Sequence, residues 1–135
     1  MAPFLADTSA WNRSRLVSDR WSAMIEANEL VLCTPVQLEL LYSARSGSDY
    51  TQYARDLGRF PHLGLDAQAE GTARRTQAAL ASRGRHRGPK PIDVLIAAIA
   101  EVHGVTLLHY DRHFDLIARV TGQPAEWLAR RGSLD

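Results

Sequence analysis

Short apolar runs alternate with helix-forming segments along this chain, and the alternation is the strongest constraint on its fold. Phe4–Ala6, Leu30–Cys33 and Val105–Tyr110 are predicted to be buried strands. The predicted helices are, in chain order, a first turn from Thr8, then Ser18–Asn28, Thr34–Ala44, Asp49–Leu57, a long helix that Asp66 caps and that ends near Gly84, Ile92–His103 and Phe114–Val120. This order predicts an α/β fold with a central, mostly parallel sheet flanked by helices.

Capping and turn residues set the predicted boundaries. Thr34 is expected to cap the N-terminus of its helix with Pro35 at the first helical position, and Gly104 is expected to end a buried helix. Two further short strands are predicted, one at Phe60–Leu65 and one that includes Trp127. At 135 residues, the whole chain has the size of one domain.

Composition excludes several classes of protein. Cys33 is the only cysteine, so neither an internal disulfide nor a cysteine metal cluster can form. No apolar run is long enough to cross a membrane, and residues 1–10 lack the basic segment of a signal peptide. We therefore expect a cytoplasmic protein with no membrane association.

The charge balance does not by itself predict a nucleic-acid partner, because the net charge is only +1. Lys90 is the only lysine among the sixteen basic residues, and the other fifteen are arginines. Arginine binds phosphates and carboxylates in a forked geometry. Genomic base composition explains much of the same bias, so this feature alone decides nothing about function.

Four carboxylates are predicted to meet at the carboxyl edge of the sheet. Asp7 and Asp111 each follow a predicted strand, Asp93 lies in the first turn of the buried helix, and Glu39 lies early in the helix after Leu30–Cys33. Ligands of parallel α/β sheets bind beyond this edge. Crowded carboxylates repel one another unless a cation is present, and carboxylate-rich sites suit Mg²⁺ or Mn²⁺ rather than Zn²⁺. Two such ions can promote phosphodiester hydrolysis.

Each carboxylate also has a purely structural interpretation. Asp7 and Asp93 suit helix caps, Asp111 suits the start of a turn, and Glu39 suits the exposed face of an amphipathic helix. The apolar neighbours of Asp93 would bury it, however, and a buried carboxylate is costly unless it is paired or binds a metal. The four together favour a cation site over four separate structural roles.

The ordered motifs resemble those of PIN domains. The resemblance rests on Asp7-Thr8-Ser9-Ala10 after the first strand, Glu39 in its helix, the Pro91–Ala98 stretch and the Leu107–Phe114 stretch. It extends over essentially the whole chain, which most resembles the VapC-type toxins of bacterial toxin–antitoxin pairs. Asp-Thr-Ser alone is a weak signal, whereas the ordered set is strong.

The resemblance implies a Mg²⁺- or Mn²⁺-dependent endoribonuclease in which a metal ion activates the attacking water. It implies that Asp7, Glu39, Asp93 and Asp111 are the metal ligands and catalytic residues, with a hydroxyl of Thr8 or Ser9 near the metals. It also implies a VapB-type antitoxin whose C-terminal tail lies across the acidic groove. The toxin is expected to be a homodimer that assembles further with this antitoxin.

His113 is a departure from the pattern of many relatives, which have an aspartate two residues after the position of Asp111. A histidine can bind Mn²⁺ or Zn²⁺ or hydrogen-bond a phosphate, but it does not supply the negative charge. The number of metal ions therefore stays open at this point. Asp115 is a candidate substitute ligand, and its alternative is an ordinary place on the exposed face of the last helix.

Basic residues surround the acidic motifs. Arg85, Arg87 and Lys90 precede Asp93, and Arg112 follows Asp111. They are candidates for contacts with RNA phosphates, which would make binding weaken steeply with salt. The stretch from Arg85 to Lys90 equally suits a solvated loop, and Arg112 equally suits pairing with a carboxylate.

Two other classes of α/β protein with aspartates at strand ends fit these motifs less well. A haloacid-dehalogenase-type phosphatase needs Asp-x-Asp after its first strand, where this chain has Asp7-Thr8-Ser9. A receiver domain needs a lysine after a later strand, whereas Lys90 precedes a helix. A catalytically weak or inert PIN-like module that binds metal or RNA remains the alternative, although such a module would not need four mutually repelling carboxylates.

Overall fold

Five strands form one sheet in the computed structural model, which describes residues 3–135. The strands are β1 Phe4–Ala6, β2 Leu30–Cys33, β3 His62–Leu63, β4 Thr106–His109 and β5 Ala125–Trp127. Their order across the sheet is β3-β2-β1-β4-β5, and every neighbouring pair is parallel. β1 lies in the centre, with Leu5 opposite Val31 on one side and Leu107 on the other. The predicted α/β class and central parallel sheet are confirmed.

Helices connect all the strands of this sheet. They are α1 Thr8–Asn12, α2 Ser18–Glu26, α3 Thr34–Tyr42, α4 Gly47–Leu57, α5 Ala67–Ser82, α6 Pro91–His103 and α7 His113–Thr121, with a short 3₁₀ helix at Ser14–Val17. In the part of the chain that the structure describes, none of these helices has the length and apolar character needed to cross a bilayer.

The sheet is covered on both faces because side chains alternate along its strands. Leu5 and Leu107 point into one apolar cluster, whereas their neighbours Ala6 and Leu108 point into the other. The first cluster includes residues of α3, α5, α6 and α7, and the second includes residues of α1, α2 and the C-terminal segment. A sheet buried on both faces requires the nearly continuous apolar strands seen in the sequence.

Helix α6 is the most buried helix and leads directly into β4. Its apolar residues from Val94 to Ala100 pack into the core, with only Leu95 less than fully buried. It ends at Gly104, whose φ of +67° is a left-handed conformation that glycine adopts without a Cβ penalty. The predicted end of this helix is therefore confirmed.

Three local features differ from the sequence-based expectations. Thr34 was expected to be an N-cap, but Cys33 holds that position and Thr34 already begins α3. The difference arises because β2 continues into α3 without a loop, which leaves no residue outside the helix to serve as a separate cap. β3 has only two residues, since Phe60 turns into the core against Trp11, with ring centroids 5.4 Å apart. The 3₁₀ helix was not predicted.

Candidate metal centre

Asp7 lies at the end of the central strand and is almost fully buried, with an exposed fraction of 3%. Its Oδ1 accepts hydrogen bonds from the Ser9 hydroxyl at 2.7 Å and from the Ala10 backbone N–H at 3.0 Å. The second of these bonds caps α1. Ser9 also accepts a bond from the Tyr110 backbone N–H at 2.9 Å, so its hydroxyl ties the Asp7 carboxylate to the end of β4.

Burial raises the pKa of Asp7 to about 7, the hydrogen bonds from Ser9 and Ala10 oppose the rise, and the charge of Asp93 adds to it. An ordinary N-cap aspartate is exposed and keeps a low pKa, because its charge is both hydrated and hydrogen-bonded. Capping alone therefore does not account for this carboxylate.

Asp93 lies in the first turn of α6 and is half-buried, less than its apolar neighbours in sequence suggested. Its Oδ2 accepts a hydrogen bond from the backbone N–H of Lys90 at 3.0 Å, so it also caps its helix. Burial raises its pKa, the bond from Lys90 opposes the rise, and the charges of Asp111 and Glu39 add to it. The structure thus brings Asp93 within electrostatic reach of the other three carboxylates.

Asp111 and His113 complete a compact group with Asp93. One ligand atom from each of the three side chains lies within 4.8 Å of the other two. Oδ1 of Asp111 accepts a hydrogen bond from the backbone N–H of His113 at 2.9 Å and lies 3.4 Å from its Nδ1. His109, fully buried beneath them, accepts a bond from the Asp111 backbone N–H at 3.3 Å.

Glu39 reaches the same edge from α3. Its Oε1 accepts a hydrogen bond of 2.5 Å from the hydroxyl of Thr8, which begins α1. Both side chains are half-buried. Thr8 and Ser9 therefore hold two different carboxylates, Glu39 and Asp7, and neither hydroxyl is left to point into solvent.

Asp115 does not join this group. It is half-buried on α7, and its Oδ1 accepts a hydrogen bond from the indole N–H of Trp127 at 3.1 Å. It also lines an arginine-rich cavity beside the group. Within residues 3–135, Asp93, Asp111 and His113 form the group whose potential ligand atoms lie close enough together to share one ion.

The predicted basic residues lie beside the carboxylates and are exposed. Lys90 precedes α6 at Asp93, Arg112 precedes α7 beside Asp111, and Arg85 and Arg87 lie in the loop between α5 and α6. Among the described residues, none of the four lies within 4.0 Å of a carboxylate oxygen, so the pairing considered for Arg112 is not formed.

Two arginines near this loop were missed from the sequence. Arg119 of α7 and Arg131 of the C-terminal segment line the same cavity as Arg85, Arg87 and Arg112. Arg119 lies seven residues after Arg112, two helical turns along one face, and that spacing was a signal the sequence already held. Arg131 had no such signal, because only the chain's return past β5 brings it there.

The donor set suits a hard divalent cation. Carboxylate oxygens predominate, and such sites bind Mg²⁺ or Mn²⁺, whereas structural Zn²⁺ sites use cysteine and histidine. Burial, and to a smaller extent neighbouring like charges, raise the pKa values of Asp7 and Asp93, and a bound cation would offset both effects. The residues present therefore fit a divalent metal ion.

Comparison with known proteins agrees with the geometry. The family model of the PIN domain matches residues 4–120. Ribonuclease VapC18 of Mycobacterium tuberculosis is 39% identical over 135 residues, covering 97% of this chain and 98% of the relative.

Solved structures share the fold. The chain resembles DNA-bound VapBC from Salmonella typhimurium with a TM-score of 0.75 and 21% identity, covering 96% of this chain and 100% of that chain. It also resembles VapBC-5 from Mycobacterium tuberculosis, a member of the VapBC family of toxin–antitoxin systems, with a TM-score of 0.61 and 20% identity, covering 94% and 98% of the two chains. The expected resemblance is confirmed: the chain belongs to the PIN-domain family and, within it, to the VapC ribonucleases.

Proposed function

We propose that this protein is a Mg²⁺- or Mn²⁺-dependent endoribonuclease that acts in the cytoplasm as the toxin of a toxin–antitoxin pair. The observation that carries the proposal is the convergence of Asp93, Asp111 and His113, with Asp93 also in electrostatic reach of Asp7 and Glu39. The ribonuclease name of its relative and the VapBC neighbours support RNA as substrate and a VapB-type antitoxin as partner.

Asp7, Glu39, Asp93 and Asp111 would hold the divalent ions, and His113 would offer a further ligand beside Asp111. Thr8 fixes Glu39, and Ser9 fixes Asp7, so the ligands are oriented before an ion arrives. A bound divalent ion supplies two things to phosphodiester hydrolysis: it lowers the pKa of water, and it stabilises negative charge on the phosphate.

Arg85, Arg87, Lys90 and Arg112 would contact RNA phosphates. Each is exposed, and none is neutralised by a carboxylate within the described part of the chain. Arginine can hold a phosphate with two parallel hydrogen bonds, so these side chains would orient the strand over the carboxylates.

A cleavage assay tests this proposal. Purified protein is incubated with total cellular RNA in EDTA, Mg²⁺ or Mn²⁺, alongside Asp93→Asn and the control Asp19→Asn on the exposed surface of α2. We expect discrete fragments that need a metal, persist in the control and fall at least about 100-fold with Asp93→Asn.

Cleavage that persists in EDTA, or full activity of Asp93→Asn, would contradict the proposal. RNA binding with no cleavage under any metal would instead support the inert metal- and RNA-binding module. Fragment ends also bear on the chemistry, since attack by water with the 3′-oxygen as leaving group gives a 3′-hydroxyl and a 5′-phosphate.

A further inference from the structure

A cavity of about 490 Å³ opens beside the carboxylate group, and five arginines line it: Arg85, Arg87, Arg112, Arg119 and Arg131. They come from three separate parts of the chain: the loop after α5, the N-cap and one face of α7, and the C-terminal segment after β5. Asp115 is the one carboxylate that lines the cavity within residues 3–135, and it is engaged by the indole of Trp127.

The cavity is built by close packing of the loop against α7. A Cβ on Gly88 would lie 3.3 Å from Leu116 Cδ1 and 3.6 Å from the His113 ring, which shows how closely the loop packs against α7. Gly84, with φ of +67°, turns the chain out of α5 just before the loop. Arg85 and Arg87 of this loop line the same cavity as Arg112 and Arg119.

The five guanidinium groups are not neutralised by the protein. In the described part of the chain, none of them lies within 4.0 Å of a carboxylate oxygen, while the whole protein carries a net charge of only +1. Positive charge is therefore concentrated at one place by the fold. The positive charges around the cavity repel one another. An anionic ligand would attract each guanidinium group and so offset this repulsion.

The cavity is continuous with the candidate metal centre. His113 both lines the cavity and belongs to the group with Asp93 and Asp111, and Arg112 directly follows Asp111. An RNA strand with one phosphate at the carboxylates would thus pass His113 and place a neighbouring phosphate in the arginine-lined cavity. Many ligand pockets for molecules larger than a single phosphate have volumes of about 300–1,000 Å³, which this cavity matches.

We infer that the arginine cavity binds a phosphate of the RNA strand next to the scissile one and so sets which stretch of strand lies over the carboxylates. The inference rests on the proposed ribonuclease function and adds Arg119 and Arg131 to its RNA-binding residues. Arginine suits this role because its planar fork matches phosphate oxygens and stays charged at any physiological pH.

RNA binding without cleavage tests the inference independently of catalysis. We would measure fluorescence anisotropy of a mixed-sequence, fluorescein-labelled single-stranded RNA in EDTA, over a series of salt concentrations, with the full chain. The variant is Arg119→Gln/Arg131→Gln. The control is Arg55→Gln/Arg74→Gln, which removes the same charge from exposed faces of α4 and α5. Melting temperatures check that all proteins are folded.

We expect the cavity variant to bind RNA at least about tenfold more weakly at low salt, and its plot of log affinity against log salt to lose a slope of roughly 0.7 for each phosphate contact removed. The control should stay within about twofold of the wild type. Equal losses in the two double variants would overturn the inference, because overall charge would then explain the effect.

Two further arms separate other occupants of the cavity. Inorganic phosphate that raises the melting temperature only when Arg119 and Arg131 are present, with RNA affinity unchanged by the substitutions, would mean a site for free phosphate and would overturn the inference. Loss of binding to a fluorescein-labelled polyglutamate, with RNA binding intact, would overturn it in favour of an acidic protein segment. Failure of the cleavage assay alone would leave this binding result standing.

Discussion

Thr8 is joined to the candidate metal centre through Glu39, whose Oε1 accepts a hydrogen bond from the Thr8 hydroxyl. Replacing Thr8 by valine keeps the shape and removes that bond, so Glu39 loses its fixed orientation. We predict that Thr8→Val weakens Mn²⁺ binding at least roughly tenfold, as for other groups that orient metal ligands. Thr8→Ser should bind Mn²⁺ nearly as the wild type does. Titration calorimetry measures the Mn²⁺ affinity of each variant. Equal Mn²⁺ affinities of Thr8→Val and the wild type would contradict this positioning role.

Asp7 makes the metal-free protein sensitive to pH. The unfolded chain releases the Asp7 proton near 3.8, whereas the folded, metal-free protein holds it until a pH of about 7, because burial raises the pKa. The stability that this proton confers is present below 3.8 and is lost as pH rises towards 7. At pH 8, the folded protein contains a buried, ionised carboxylate close to Asp93.

Asp7→Asn removes this charge while retaining an oxygen that can accept from Ala10. In EDTA, we predict that the melting temperature of Asp7→Asn relative to wild type increases by roughly 5 °C or more between pH 5 and pH 8. Excess Mn²⁺ should reverse the difference at pH 8, because the wild type then gains the bound cation. Differential scanning calorimetry measures these melting temperatures. A difference between Asp7→Asn and the wild type that does not change with pH would mean that Asp7 is an ordinary cap.

At the scale of elements, aspartate caps two helices with the same geometry and different surroundings. Asp66 accepts a bond from Ala69 at 2.9 Å at the start of α5, and Asp7 accepts from Ala10 at 3.0 Å at the start of α1. Asp66 is exposed, whereas Asp7 is buried and its pKa is influenced by the charge of Asp93. Because the two aspartates make the same capping hydrogen bond, only their tertiary surroundings distinguish Asp66, a structural cap, from Asp7, a candidate metal ligand.

The Asp66 cap gives a prediction about α5 alone. Asp66→Ala should lower the free energy of unfolding by about 1 kcal/mol, while Asp66→Asn should cost little because asparagine caps equally well. Neither variant should change Mn²⁺ affinity. Urea denaturation and calorimetry check these two statements, and a loss of metal binding in Asp66→Asn would show that the candidate centre extends to α5.

Most elements could be predicted because their ends carry strong local signals. Asp66 and Gly104 mark helix termini by capping and by a left-handed φ, and both act locally. The boundary at Thr34 was missed because β2 and α3 join without a loop. The 3₁₀ helix at Ser14–Val17 is short and half-exposed, so its sequence carries too little periodicity to predict it.

At the scale of the whole molecule, the sheet topology explains how distant motifs meet. β1 lies between β2 and β4, so the residues after these three strands share one edge, and Asp7, Glu39 and Asp111 all follow them in sequence. The parallel order, and with it the shared edge, could be predicted from the alternation of strands and helices. The arginine cavity could not, because Arg131 reaches it only through the return of the chain past β5.

Anomalous diffraction from crystals grown with Mn²⁺ is the most direct test of the claim that these carboxylates form one metal centre. We predict one or two peaks at the carboxyl edge of the sheet, about 2.0–2.3 Å from carboxylate oxygens of Asp7, Glu39, Asp93 or Asp111. A peak beside the His113 imidazole would identify it as a further ligand. No peak at this edge, with Mn²⁺ bound elsewhere or not at all, would contradict the account.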